Sequence, residues 1–183
     1  MRHVICALGT LLCGMLPALP GADLTVVLNI ESDHSPRSVA LMEGEAGRLL
    51  QESGIVADWR TFDQISPGQA FTNIAVVTLK GRCEMTPLIP GAIAPAGRLG
   101  VTYRVDGRVI PFSEVECDEV RSTLATARLP VDPAAREALY GRALGRVLAH
   151  ELFHVIHRNG RHTRDGVGQK YFSATTLLDD HID

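Results

Sequence analysis

Aromatic residues make up only 5% of the 183-residue chain, with one Trp, three Tyr and five Phe. A chain so poor in rings has few platforms on which unpaired bases could stack. It also lacks an excess of positive charge. Eighteen Lys and Arg against 21 Asp and Glu give a formal net charge of −3. The basic residues are scattered, and no run of them follows a phosphate backbone, so nucleic acid is excluded as a partner. No apolar run reaches the roughly 20 residues that a membrane-spanning helix needs. Cysteines number four, without a C-x-x-C pair, which argues against a thiolate metal site. Internal repeats and low-complexity stretches are lacking too. What remains is 45% hydrophobic and 21% charged, ordinary globular usage in a length that suits one domain.

The N-terminus carries its own pattern. Arg2 leads into an apolar stretch over 4–16, followed by Pro17, Pro20, Gly21 and Ala22. A basic start, a short apolar run and a small-residue exit predict a secretory signal peptide over 1–22 and one mature domain over 23–183. The chain is then exported, to the periplasm or the extracellular space, with no other membrane association. Export leaves Cys83 and Cys117 as the two mature thiols, and an oxidising compartment predicts that they pair.

The mature chain reads as strands interleaved with helices. LTVVLNI at Leu24–Ile30 is a β-branched run suited to a buried strand. Ser35-Pro36 opens a helix, a capping residue before Pro at the first turn, and Gly54 closes it. Segments 55–60 and 74–80 read as two more strands, so the first two form a parallel pair around the helix. Segments 99–105 and 109–112 flank Asp106-Gly107, a hairpin signal. Pro111 is expected to place the second of these strands at a sheet edge. Between the third strand and the hairpin, 81–98 reads as a Pro/Gly connecting loop, its 87–97 part a candidate to border the cleft but more often just a connection. The acidic run Glu114, Glu116, Asp118 and Glu119 reads as a solvated face, and Trp59 as core. The expected fold is α+β: a mixed twisted sheet of about five strands with two main helices.

The longest helix starts at Asp132-Pro133 and runs to about Arg158, with Asn159-Gly160 as a left-handed stop signal. Within it lies His150-Glu151-Leu152-Phe153-His154, an H-E-x-x-H motif. Two imidazoles one turn apart share a face about 40° wide and can reach one ion, while Glu151 sits about 100° round, beside the ion rather than on it. A carboxylate there can take a proton from a metal-bound water. Leu148, Leu152, Val155 and Ile156 form an opposite apolar stripe, shared by Gly141 and Gly145, whose bare backbone is expected to pack on the sheet. Catalytic Zn2+ takes a third protein ligand and keeps one position open. The chain turns back after Gly160, so His162 is the first candidate and Asp165 the second, with Asp179 and Asp180 on a short terminal helix as outsiders. His157 lies on the metal face but a turn too far, which suits a rim position. His157, Tyr171 and Arg161 are candidate donors to a developing oxyanion, and Tyr171 is also a possible outer or alternative ligand.

The segment AHELFHVIHRNGRHTRDG, 149–166, resembles the active-site helix of zincin metallopeptidases. Strands, a helix and further strands ahead of that helix are similar to the N-terminal subdomain of metzincins. The resemblance implies zinc-dependent hydrolysis of protein or peptide substrates, with His150 and His154 as ligands, Glu151 as general base, and an edge strand that receives substrate. His157 and Gly160 stand where that family has glycine and its third histidine, His162 comes two residues late, and no methionine after Met85 forms a Met-turn. A non-catalytic zinc-binding or interaction protein is the alternative reading, and oligomeric state is not encoded in these patterns.

Overall fold

The computed structural model describes residues 23–85 and 97–182. The expected signal segment over 1–22 and most of the Pro/Gly loop at 87–97 lie outside the described residues. Five strands, β1 (Leu24–Ile30), β2 (Ala57–Thr61), β3 (Ile74–Lys80), β4 (Gly100–Val105) and β5 (Arg108–Glu116), form one mixed sheet in the order β2-β1-β3-β5-β4. β1, β2, β3 and β5 pair in parallel, and β4 is antiparallel to β5 at the edge. Four helices complete the α+β fold: α1 (Pro36–Glu52), α2 (Cys117–Leu124), α3 (Pro133–His157) and α4 (Ala174–Leu178).

The local signals act as their chemistry dictates. Ser35 caps α1 by accepting from the Ser38 amide, Asp132 caps α3 by accepting from Ala135, and Ser173 caps α4 through Thr176. Asp106 and Gly107 take positive φ, 51° and 76°, and join β4 to β5. In β3 the alternate residues Ala75, Val77 and Leu79 are fully buried, whereas Ile74, Val76 and Thr78 are half-buried. The buried face meets Met42, Ala46 and Leu49 of α1 and Leu144 and Leu148 of α3 in one core. Cys83 and Cys117 pair as a disulfide, Cα atoms 5.0 Å apart, linking the chain just past β3 to the first turn of α2.

Four expectations are corrected. Pro111 does not mark an edge, because β5 runs to Glu116 between β3 and β4. Pairing of Thr102 with Ser113 and of Arg104 with Val109 leaves Ile110, Pro111 and Phe112 opposite Tyr103 alone, and the ladder to β3 starts only at Phe112. Proline is tolerated there because a bulge asks for no ladder amide. Gly141 and Gly145 face α1, not the sheet. A Cβ at Gly145 would lie 2.7 Å from the Met42 carbonyl oxygen, and one at Gly141 2.4 Å from Leu41 Cβ. The left-handed residue ending α3 is Arg158 (φ 51°), not Gly160. The acidic run is divided between a strand and a helix: Glu114 pairs with Lys80 at 2.8 Å, and Asp118 and Glu119 occupy the first turn of α2, where negative charge suits the helix dipole.

Arg146 ties the helices together. It is fully buried on α3, donates to Glu45 of α1 at 2.9 Å, and caps α4 through the carbonyls of Thr176 (2.9 Å) and Leu177 (3.2 Å). A carboxylate on Nε and two carbonyls on Nη1 compensate the buried charge. The outcome is an α3 buried on almost all sides from Tyr140 to Leu152, a stiff rod on which side chains hold fixed positions.

Candidate metal centre

His150 and His154 lie one turn apart on α3, buried, with 8% and 7% of their surface exposed. Each ring has one nitrogen engaged. His150 Nδ1 lies 2.8 Å from the Val167 carbonyl oxygen, and His154 Nδ1 lies 3.0 Å from that of Asn159. A carbonyl only accepts, so both Nδ1 atoms carry the proton and donate. Both Nε2 atoms are then bare lone pairs, and they face one another 3.1 Å apart. Two acceptors pointed at each other repel, and a cation between them relieves it. Carbonyl partners on the far ring nitrogens are also the usual support of metal-ligating histidine.

His162 comes from the loop beyond α3. Its ring lies 5.3 Å from that of His150, nearly parallel, and 4.9 Å from that of His154, nearly perpendicular. One ring nitrogen from each of the three falls within 4.8 Å of the others. Three imidazole nitrogens this close could together hold one metal ion. Burial holds His150 down to about 4, with its neighbouring imidazoles adding to that, and the same burial lowers His154. Both rings are therefore neutral at pH 7, the form in which an imidazole can bind a metal.

The loop is shaped for this return. Arg158 turns the chain, Asn159 Oδ1 accepts from the Arg161 amide at 2.9 Å, and Thr163 bridges to Gln169. Thr163 Oγ1 donates to the Asp165 carbonyl at 2.7 Å. That turn leaves Asp165 exposed at its tip, outside the imidazole cluster, so the second candidate ligand is set aside. His157 is exposed with its ring 4.3 Å from Phe153, and it does not line the cleft. Arg161 is exposed and outside it too, whereas Tyr171 stands at its mouth, 75% exposed. Asp180 pairs with Arg142 at 2.9 Å and takes no part.

Glu151 is 4% exposed and turns toward β4. Thr102 donates to its Oε2 at 2.7 Å, and Ser113 stands 2.9 Å behind Thr102. Burial lifts the Glu151 carboxyl to about 7, against the opposing effects of Thr102 and the charge of Arg98. A cation at the adjacent imidazoles would draw it down again. Space for the carboxylate exists only because residue 100 is glycine: a Cβ there would lie 2.7 Å from Glu151 Oε1. Gly100, Thr102 and Ser113 went unnoticed in the sequence. Gly100 carried a signal, since glycine at a strand often marks the close approach of another group.

These groups line a cleft of about 320 Å³ between β4 and residues 170–171. A second cavity of about 620 Å³ adjoins it past His150 and Glu151, with Leu99, Val147 and Phe172 among its walls. A comparable cavity of about 630 Å³ near Val155 and Ile156 contains none of the clustered imidazoles, so we place the site in the smaller cleft, where the titratable groups converge. No protein-family model, curated protein or solved structure matches the chain.

Proposed function

We propose that this chain is an exported zinc metallopeptidase of the zincin kind, metzincin-like in its active-site helix, that hydrolyses peptide bonds. The observation that carries the reading is the pair of bare Nε2 atoms 3.1 Å apart, each ring oriented by a carbonyl, beside a buried carboxylate that is not a ligand. His150, His154 and His162 would hold Zn2+. When bound, it acts as a Lewis acid toward the substrate carbonyl and lowers the pKa of a coordinated water to around 7.

The chain's own residues supply the rest. Among the described residues β4 is the antiparallel edge of the sheet and lines the cleft, so an extended peptide could add to it as a further strand. The interior position of β5 leaves β4 as the hairpin strand available for this role. Glu151 accepts the proton of the attacking water and delivers it to the departing amine. Thr102 aims that carboxylate by holding Oε2, which leaves Oε1 for the proton. Tyr171, at the mouth of the cleft, would donate to the oxyanion. The Cys83–Cys117 pairing agrees with an oxidising compartment.

The test is zinc analysis beside peptidase assays of wild type and Glu151→Gln. The expected result is one zinc per chain in both proteins and a fall in turnover of about 10²–10⁴-fold in the variant. Retained hydrolysis by Glu151→Gln overturns the general-base role. Zinc binding with no hydrolysis by the wild type favours the non-catalytic reading.

A further inference from the structure

Arg104 is the cation that the cleft has left over. It sits on β4, two residues beyond the Thr102 that holds Glu151, and lines the same cleft as the three imidazoles. No acidic side chain pairs with it among the described residues, although it lines the cleft that holds Glu151. The guanidinium of this exposed residue lies over Gly160, where a Cβ would fall 0.9 Å from Arg104 Nη2. Gly160 does not have positive φ, so the turn makes no demand for glycine, and a methyl there would displace the free end of Arg104. Lys170 adds a second positive charge to the same cleft, but its ammonium rests over the Tyr171 ring at 4.9 Å. Glu151 is the sole acid lining the cleft among the described residues, and it is held by Thr102 on the β4 side.

A planar guanidinium presented without a partner, at the rim of a cleft that binds an extended chain, is matched by a carboxylate through two parallel hydrogen bonds. We propose that Arg104 is the specificity-determining residue of this cleft, and that the peptide taken here carries a carboxylate that pairs with it. This rests on the peptidase reading above. The carboxylate comes either from an Asp or Glu side chain or from the free end of the peptide. The pairing selects substrate by binding, not by taking part in bond cleavage, so it shows in affinity and KM before kcat.

The experiment uses zinc-loaded Glu151→Gln, which holds peptide without turning it over, together with wild-type kinetics. Fluorescent peptides of one sequence are compared as Asp or Glu against Asn or Gln, and as free acid against C-terminal amide. The expected result is binding about tenfold or more tighter for one acidic form. The pair that shows the difference identifies the source of the carboxylate. Adding Arg104→Gln is expected to erase the difference while leaving zinc content and the affinity for the neutral peptide unchanged. Gly160→Ala keeps the charge but fills its seat, and is expected to lose most of the discrimination as well. Wild-type hydrolysis with equal affinity for acidic and neutral peptides overturns the assignment of Arg104 and leaves the peptidase reading intact. Discrimination that survives Arg104→Gln also overturns it. Absence of both binding and hydrolysis with zinc present overturns both.

Discussion

One substitution made at two glycines has opposite expected signs, and the packing of the site-bearing helix sets the difference. Ala is preferred over Gly in a helix interior by about 1 kcal/mol. At Gly44, exposed on α1, a Cβ meets nothing within 4 Å, so Gly44→Ala is expected to stabilise by about 0.5–1 kcal/mol. At Gly145 the same methyl lands 2.7 Å from Glu45 Cβ, 2.7 Å from the Met42 carbonyl oxygen and 3.1 Å from the Ala46 amide. Non-bonded atoms settle at about 3.5–4.0 Å, so α1 and α3 have to part by about 1 Å. Two of those three contacts are backbone, with no rotamer to yield. Overpacking of this kind costs about 1–3 kcal/mol, so after the propensity gain Gly145→Ala is left up to about 2 kcal/mol less stable. For a chain of this size that is a fall in Tm of up to about 8 °C, against a rise of about 1–4 °C for Gly44→Ala. Thermal and urea denaturation of both variants in a metal chelator, to keep metal linkage out of the comparison, measures this directly. If Gly145→Ala gains as much stability as Gly44→Ala, the close approach of the two helices is wrong.

Four other expectations follow from the site and its supports. His162→Ala is expected to weaken zinc binding by at least tenfold, read by competition with a chromophoric chelator; unchanged affinity removes it from the ligand set. Thr102→Val deletes a hydrogen bond to a carboxylate, of about 1.5–3 kcal/mol, so kcat should fall on the order of 10–100-fold with zinc content unchanged, and a wild-type rate would show that Glu151 needs no such aim. Replacing Cys83 and Cys117 together by Ser opens a loop with a sequence separation of 34 and should lower stability by about 4 kcal/mol in urea titrations. Burial raises Glu45, yet the hydrogen bonds and charges of Arg48 and Arg146 outweigh it and leave its pKa below 4.5. Because the folded value is the lower one, the stability it contributes is present above pH 4.5 and is lost as pH falls through the folded pKa. Glu45→Gln should therefore flatten the acid limb of the stability curve while lowering the neutral plateau, since Arg146 stays buried without its counter-charge.

Much of this architecture is written in local chemistry. Ser35-Pro36, Asp132-Pro133 and Asp106-Gly107 each carry their instruction within two residues, so the helix starts and the hairpin are legible without tertiary knowledge. His150, Glu151 and His154 are equally legible, because one helix sets their relation. What the sequence hides is what depends on another element. Nothing near Gly141 or Gly145 says whether a helix or a sheet will lie against them, and α1 decides it. Pro111 reads as an edge until the offset of Arg104 and Thr102 against β5 shows a bulge. Gly160 resembles a cap signal, yet Arg158 takes the left-handed turn and the Arg104 guanidinium of β4 lies over Gly160. The sequence ranks His162 over Asp165, but how the loop brings His162 beside the other two imidazoles depends on a turn that Arg158, Thr163 and Gln169 fix together.

The Thr102 hydroxyl touches both the side chain and the main-chain oxygen of Glu151, at 2.7 and 3.1 Å. It is a rivet between the rail on which a guest chain would lie and the acid that would work on it. A shift of that rail would reach the acid through one oxygen atom.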